Sequence, residues 1–350
     1  MLYENMMDVI GNTPLVKLRL NNQSVASVYA KLELMNPFGM KDRVAKQIIL
    51  AAKLSGELTD DMPIIESSSG TMACGVALVG RQLGHKVHIV TDPRIDSITY
   101  AKLKSLDCKV HVVKKMGRNG WQSARLERLY ELMEEYPGAF WPRQYENLEN
   151  PRAYKKLAME LIKDLGRVDV LVGSVGSGGS LSGSARALKY YNQDLQVVAV
   201  DAAGSVIFGQ PDCPNRLQGG LGNSLIASNV DFSVIDDVHW LNDQEAFAAT
   251  LQLARDEQIF AGNSSGSVYA VSRWLASQVT SECNIVAIFP DRGDRYADTI
   301  YNEAYHNEKG LSRCNLTKGP QFVDLDCVVS SWSYANLLGV NPHGKKTIVR

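Results

Sequence analysis

A chain of 350 residues, 45% apolar and 21% charged, is long enough to bury a sizeable core and reads as two domains or one large α/β unit. Its 37 Lys and Arg nearly cancel 38 Asp and Glu, and the net charge of -1 gives no electrostatic reason to expect nucleic acid or an anionic membrane as partner. Basic residues are scattered in short clusters such as Lys345-Lys346, and the six cysteines (Cys74, Cys108, Cys213, Cys283, Cys314, Cys327) form no Cys-x-x-Cys pair, which argues against a disulfide framework or zinc site and for reduced thiols in a cytosol.

The N-terminus, Met1-Leu2-Tyr3-Glu4-Asn5 with Asp8 close behind, lacks the basic-then-apolar layout of a signal peptide. No apolar run approaches the ~20 residues of a membrane span. From there on, β-rich apolar runs alternate with amphipathic stretches, the pattern of a parallel sheet with helices on its faces. In chain order the spacing predicts helices over 42–54 and 71–83, strands over 86–90 and 109–113, and helices over 120–135 and 151–165, the last with Pro151 in its first turn. A strand over 168–172, a helix over 180–191, a strand over 196–200, a helix over 243–256 and a strand over 284–289 follow. Cys74, among Met72, Ala73 and Val76, reads as a buried helix position and not as a nucleophile. There are no internal repeats, and Glu149-Asn150-Pro151 is the candidate lobe boundary. Beyond about residue 310, Gly310, Lys318-Gly319-Pro320 and Pro342-His343-Gly344 punctuate short mixed segments, so 311–350 reads as an appendage of irregular structure packed on the body.

Several loops carry residues suited to chemistry. Asn36-Pro37-Phe38-Gly39-Met40-Lys41-Asp42-Arg43 runs from a Pro/Gly loop into a helix, where the helix dipole disfavours the Lys41 ammonium and so favours an imine-forming amine. A solvated surface Lys beside Asp42 is the alternative. Gly173-Ser174-Val175-Gly176-Ser177-Gly178-Gly179-Ser180 follows a predicted strand and enters a helix. Its backbone N–H groups and hydroxyls suit a lone phosphate monoester, since the Walker Lys and the dinucleotide spacing are both missing. Glu66-Ser67-Ser68-Ser69-Gly70-Thr71 offers donors at a helix start for a carboxylate, or a plain helix cap. Phe260-Ala261-Gly262-Asn263-Ser264-Ser265-Gly266 opens a helix, and Pro290-Asp291-Arg292-Gly293-Asp294-Arg295-Tyr296 leaves the C-terminal end of a strand, where an acid is well placed to face a ligand.

The order of these segments resembles the cysteine synthase group of pyridoxal-phosphate enzymes over nearly all of 7–308. Ile10-Gly11-Asn12-Thr13-Pro14-Leu15-Val16 is similar to that family's opening motif, and 36–43 to its Schiff-base lysine motif. The resemblance implies two lobes, each a mostly parallel twisted sheet flanked by helices, with pyridoxal 5'-phosphate in the cleft between them. It places 42–150 in the smaller lobe, 1–41 plus 151–310 in the larger, and 311–350 outside both, and it implies a homodimer. It further implies that Lys41 carries the cofactor and moves the substrate α-proton. Gly176, Ser177, Gly178, Gly179 and Ser180 would hold the cofactor phosphate, and Asp291 would lie near the pyridine nitrogen. Ser68, Ser69, Gly70, Thr71 and Gln144 would grip the substrate carboxylate. Two departures stand out: Thr71-Met72 replaces the family's usual Asn at the cofactor O3′, and Asp291 replaces a short hydroxyl.

The implied reaction is β-replacement on an O-activated L-serine. The Asn119-Gly120-Trp121-Gln122 and Gly204-Ser205-Val206-Ile207-Phe208-Gly209 segments resemble S-sulfocysteine synthase-like and diaminopropionate-pathway branches, which favours O-phosphoserine over O-acetylserine as donor. A sulfur nucleophile giving cysteine or S-sulfocysteine is the leading expectation. The alternatives are C–N bond formation with an amine such as L-glutamate, a dehydratase-like elimination, and a non-catalytic cofactor-binding scaffold. Arg216, ahead of the Gly-rich Gln218-Gly219-Gly220-Leu221-Gly222 loop, is the candidate cation for a phosphorylated leaving group, against a surface Arg paired with Asp212.

Overall fold

A computed structural model describes residues 2–19, 24–117, 120–311 and 319–343. Asn119, Cys314, Lys318, Gly344 and the Lys345-Lys346 pair lie outside the described residues. The strands are β1 (Leu15–Lys17), β2 (Ser27–Lys31), β3 (Ile64–Ser67), β4 (Val87–Thr91), β5 (Lys109–Val112), β6 (Val170–Ser174), β7 (Gln196–Ala202), β8 (Asp237–Leu241), β9 (Asn284–Ile288), β10 (Gln321–Phe322) and β11 (Ser333–Asn336). Between them run α1 (Lys41–Ser55), α2 (Thr71–Gln82), α3 (Ser97–Ser105), α4 (Gly120–Glu135), α5 (Glu149–Arg152), α6 (Lys155–Leu165), α7 (Gly179–Lys189), α8 (Asp243–Glu257), α9 (Asn263–Gln278) and α10 (Glu303–Glu308).

Two sheets result. The larger has the order β1-β2-β9-β6-β7-β8-β11-β10, and the smaller is β3-β4-β5. Every pairing from β2 through β9, β6 and β7 to β8 is parallel, as are both pairings of the small sheet, with antiparallel pairing where β1 meets β2 and where β11 meets β8. Parallel strands covered on both faces need apolar side chains on both, which is why β6 and β9 read as unbroken apolar runs. The alternation still sorts them. Leu171, Val197 and Val286 enter the core shared with α1, α2, α6 and α7, whereas Val170, Val172, Val198 and Ala287 enter the core under α9. The fold class is the expected α/β arrangement of mostly parallel sheets flanked by helices. Among the described residues, no helix is long and apolar enough to cross a membrane.

Two local expectations are corrected. The helix over 151–165 is split into α5 and α6, because the chain tightens at the end of α5, where Ala153 N–H is shared between Glu149 O and Asn150 O and Tyr154 N–H reaches Pro151 O at 3.2 Å. The segment 321–336 is not wholly irregular: β11 pairs with β8 in the register Ser333↔Trp240, and β10 adds beyond it. A free edge on β8 would leave its backbone groups open, and the C-terminal strand supplies their partners. Cys74 is a packed helix position, and burial pushes its thiol up to about 12.

Candidate active site

The loops after β3, β6 and β9 all leave the C-terminal ends of parallel strands, and the Lys41 loop lies against two of them. Asn36 is buried; its Nδ2 donates to Glu33 O at 2.8 Å and its Oδ1 accepts the Gly11 N–H at 2.8 Å, so the opening motif braces the lysine loop. Gly39 has φ +134°, and a Cβ there would stand 3.1 Å from Pro290 O and 3.2 Å from Thr71 Cγ2. Met40 N–H then donates to Pro290 O at 2.8 Å. Asp42 accepts the Phe38 and Gly39 N–H groups at 2.7 and 3.3 Å and is fully buried, which rules out the picture of a solvated Lys41–Asp42 surface pair. Burial pushes the Asp42 carboxyl up to about 7. Lys41 itself is half-buried. Burial lowers its pKa, with Asp291 opposing and the Arg295 charge adding to the effect, so desolvation is the main cause of the depressed amine that the helix start led us to expect.

Asp291 sits across from this amine at the end of β9. Tyr296 Oη donates to its Oδ2 at 2.8 Å, Ser264 Oγ to its Oδ1 at 3.5 Å, and Arg295 Nη1 lies 3.5 Å from Oδ2. Burial raises its pKa, while Arg295, Tyr296, Lys41 and Ser264 all act to keep it charged.

The turn after β3 carries the carboxylate-gripping candidates. Gly70 precedes the first turn of α2, which no side chain caps, and such a helix start suits an anion. Ser68 Oγ accepts the Gly70 N–H at 3.2 Å, and Ser69 Oγ accepts from Arg125 Nη1 at 3.1 Å. Arg295 Nη2 donates to Ser69 O at 3.4 Å and its Nε to Asp96 Oδ2 at 3.2 Å. Thr71 is half-buried at the helix start, whereas Met72, its partner in the departure from the family pattern, is 2% exposed within the core and offers the site nothing polar. Gln144 follows Arg143, a residue held at φ +53°, and its Nε2 donates to Ser67 O at 3.4 Å. Asn150 Nδ2 and Asn229 Nδ2 both donate to Gln144 O, at 2.6 and 3.1 Å.

The glycine turn after β6 is fixed by packing. Gly178 takes φ +81°, and a Cβ on it would overlap Val230; one on Gly179 would overlap the Asn150 carboxamide, and one on Gly176 would stand 3.3 Å from Gly220 O. Ser177 Oγ accepts from Asn150 Nδ2 at 3.2 Å, and Ser180 is half-buried in the first turn of α7, which has no side-chain cap. Arg216 behaves differently from its candidate role: its guanidinium donates to Gly204 O, to Cys213 O at 2.8 Å and to Asp212 Oδ1 at 3.1 Å, which spends it on tying the 204–224 loop. Arg125 and Asn229 carry no local signal in the sequence, because their partners here, Ser69 and Gln144, lie in distant segments. Arg295 and Tyr296 do carry a local signal, since both lie within five residues of Asp291 in one short run.

The profile of the pyridoxal-phosphate dependent enzyme family matches residues 6–291. An N-(2-amino-2-carboxyethyl)-L-glutamate synthase of Ralstonia nicotianae is 37% identical over 318 residues, 89% of this chain and 94% of that protein. The synthase of the same name from Cupriavidus metallidurans is 37% identical over 313 residues, 87% of this chain and 92% of that protein. Among solved structures, the O-acetylserine dependent cystathionine beta-synthase from Helicobacter pylori superposes with a TM-score of 0.80 at 29% identity, covering 86% of this chain and all of that one. Sequence profile, relatives and fold agree, and the chain belongs to the pyridoxal-phosphate dependent enzyme family, among enzymes of the β-replacement type.

Proposed function

We propose that this enzyme joins the amino group of L-glutamate to Cβ of an O-activated L-serine, with O-phospho-L-serine as the favoured donor, to give N-(2-amino-2-carboxyethyl)-L-glutamate. The observation that carries the reading is the pair of synthases of that name, each 37% identical over nearly nine-tenths of the chain. It displaces a sulfur nucleophile as the leading choice.

The residues fit the cofactor. An uncapped helix start behind a glycine turn whose Cβ positions are filled by Val230 and Asn150 is a preformed cradle for a phosphate, and 176–180 takes that role. Lys41, with its pKa lowered by burial, would be the amine that holds the cofactor, and Asp291, bonded by Tyr296 and beside Arg295, would be its partner near the ring nitrogen. Bound pyridoxal phosphate supplies an electron sink for negative charge at the substrate Cα.

The chain's own residues do the rest. Ser68, Ser69, Gly70, Thr71 and Gln144 hold the donor's carboxylate at the start of α2, which orients the Cα–H toward Lys41. Lys41 Nζ takes that proton and returns it after the new C–N bond has formed at Cβ and the activating group has left. Arg125, which also pairs with Asp92 at 3.4 Å, and Arg295, which also pairs with Asp96 at 3.2 Å, both reach Ser69 beside a site that must accept a dianionic leaving group or a dicarboxylic nucleophile.

The test is a product assay offering O-phospho-L-serine and O-acetyl-L-serine, each with L-glutamate, sulfide and thiosulfate. The glutamate adduct should dominate with the phosphorylated donor. Turnover restricted to sulfide or thiosulfate would overturn the proposal.

A further inference from the structure

The C-terminal segment 319–343 lies outside the stretch that the family profile covers, yet it is bound to a loop that walls the site. Gln210 is 4% exposed, and its carboxamide is used at both ends: Nε2 donates to Cys327 O at 2.8 Å and Oε1 accepts the Val329 N–H at 2.9 Å. His343 Nε2 donates to Ile207 O at 2.8 Å, and Pro342 Cβ stands 3.7 Å from where a Cβ on Gly209 would be. Segment 207–210 is therefore held from outside the sheet by the end of the chain.

The same loop continues into the site. Ser205 Oγ accepts the Asn223 N–H at 3.0 Å and Val206 N–H donates to Asn223 O at 2.9 Å, which fastens the 204–210 stretch to the Gly-rich turn ahead of Asn223. Gly222 N–H donates to Val175 O at 2.8 Å, and Gly219 N–H to Asn263 Oδ1 at 3.2 Å. That turn thus touches the start of the phosphate loop on one side and the start of α9, next to Ser264, on the other. A rigid wall here must be imposed, because three glycines in five residues have little stiffness of their own.

We infer that the C-terminal segment positions the substrate wall of the site through the 204–224 loop, with Gln210 and His343 as its positioning residues. Neither side chain touches the site; each fixes the loop that borders the phosphate turn and the start of α9. The inference rests on the reading of the Lys41 site given above, and it would give the chain's end control over substrate affinity without touching the chemistry.

The experiment uses the full-length, cofactor-loaded enzyme with Gln210→Ala, Gln210→Glu and His343→Ala. Readouts are KM and kcat for donor and nucleophile, emission of the bound cofactor, and Tm. Losing the two hydrogen bonds of Gln210 should raise KM by about three- to tenfold while kcat stays within about twofold, and should shift the cofactor emission. Gln210→Glu keeps the acceptor for Val329 but sets a second acceptor against Cys327 O, so its effect should be at least that of Gln210→Ala. A lower Tm with unchanged KM and emission would reduce the contact to fold stability and overturn the inference. If Gln210→Ala does not fold, His343→Ala alone decides by the same criteria. Failure of the underlying site reading is separately visible, since the parent enzyme would then carry no borohydride-trappable cofactor on Lys41.

Discussion

At the residue scale, Lys41 shows how two physical causes combine. A helix start disfavours an ammonium, but the larger effect is burial against the Asp291 loop, with Arg295 close enough to add repulsion. Lys41→Ala should therefore abolish the borohydride-trappable linkage and turnover together, read by mass spectrometry of the reduced protein; a variant that still turns over would remove Lys41 from the chemistry. Its neighbour Asp42 gives a pH prediction. Burial raises its carboxyl from the model-compound value of 3.8 to about 7, so the folded state binds a proton that the unfolded chain gives up. Its stabilising contribution is complete below about pH 4 and is lost as pH climbs through 7. Asp42→Asn mimics the protonated form, and its urea midpoint should fall less between pH 4.5 and 7.5 than that of the parent. An identical slope would mean that Asp42 is ionised throughout. Glu160 is the opposite case. In spite of burial, Arg43 and Lys31 hold it at about 2, and its contribution is complete above 4.5 and lost as pH falls through about 2.

At the scale of elements, the glycine turn and α7 act as one unit. The substitution that suggests itself from sequence, a side chain at Gly178, confounds two effects, because φ +81° and the overlap with Val230 would damage the turn whether or not a ligand binds. Ser180→Ala is the cleaner test. Ser180 is half-buried in the uncapped first turn of α7, so its hydroxyl can be removed with the turn intact. Cofactor affinity should fall about ten- to a hundredfold, the loss of one charge-assisted hydrogen bond, while Tm of the cofactor-free protein stays unchanged. Unaltered cofactor affinity would count against the turn as the phosphate site. Element boundaries were legible wherever apolar periodicity was strong, as in α2, α4 and β9. The break between α5 and α6 was not, since it depends on the way the chain tightens over Ala153 and Tyr154.

For the whole molecule, a buried ionic cluster joins four separate segments behind the site. Arg43 pairs with Glu33 at 2.7 Å and with Glu160 at 2.8 Å, and Lys31 pairs with Glu160 at 2.7 Å; Lys31 and Glu33 are both completely buried. Thr13 Oγ1 donates to Glu33 and the Asn12 N–H to Glu160, which draws in the opening motif. The cluster contains two cations and two anions, so it is neutral only when complete. Removing one member leaves uncompensated buried charge, and Arg43→Met should cost roughly 3–5 kcal/mol in chemical denaturation. Arg167→Ala, at an exposed ion pair with Asp169, should leave the denaturation midpoint nearly unchanged. Similar losses for both would mean that the inner cluster is solvated.

The sequence by itself determined the α/β class, the order of the loops and the chemistry each offers, because apolar period, glycine turns and helix starts are local properties of the chain. Lys41, Ser69 and Ser180 could be singled out on that basis. What only the tertiary structure decided is which of these loops meet and which charges accompany them. Arg125 reaches Ser69 from 56 residues away, and Arg295 reaches it from 226. Arg216, plausible in sequence as a free cation, is turned onto carbonyls of its own loop. The C-terminal strand found its place on the open edge of β8. Such pairings depend on contacts between distant residues, and no window of local sequence contains both partners.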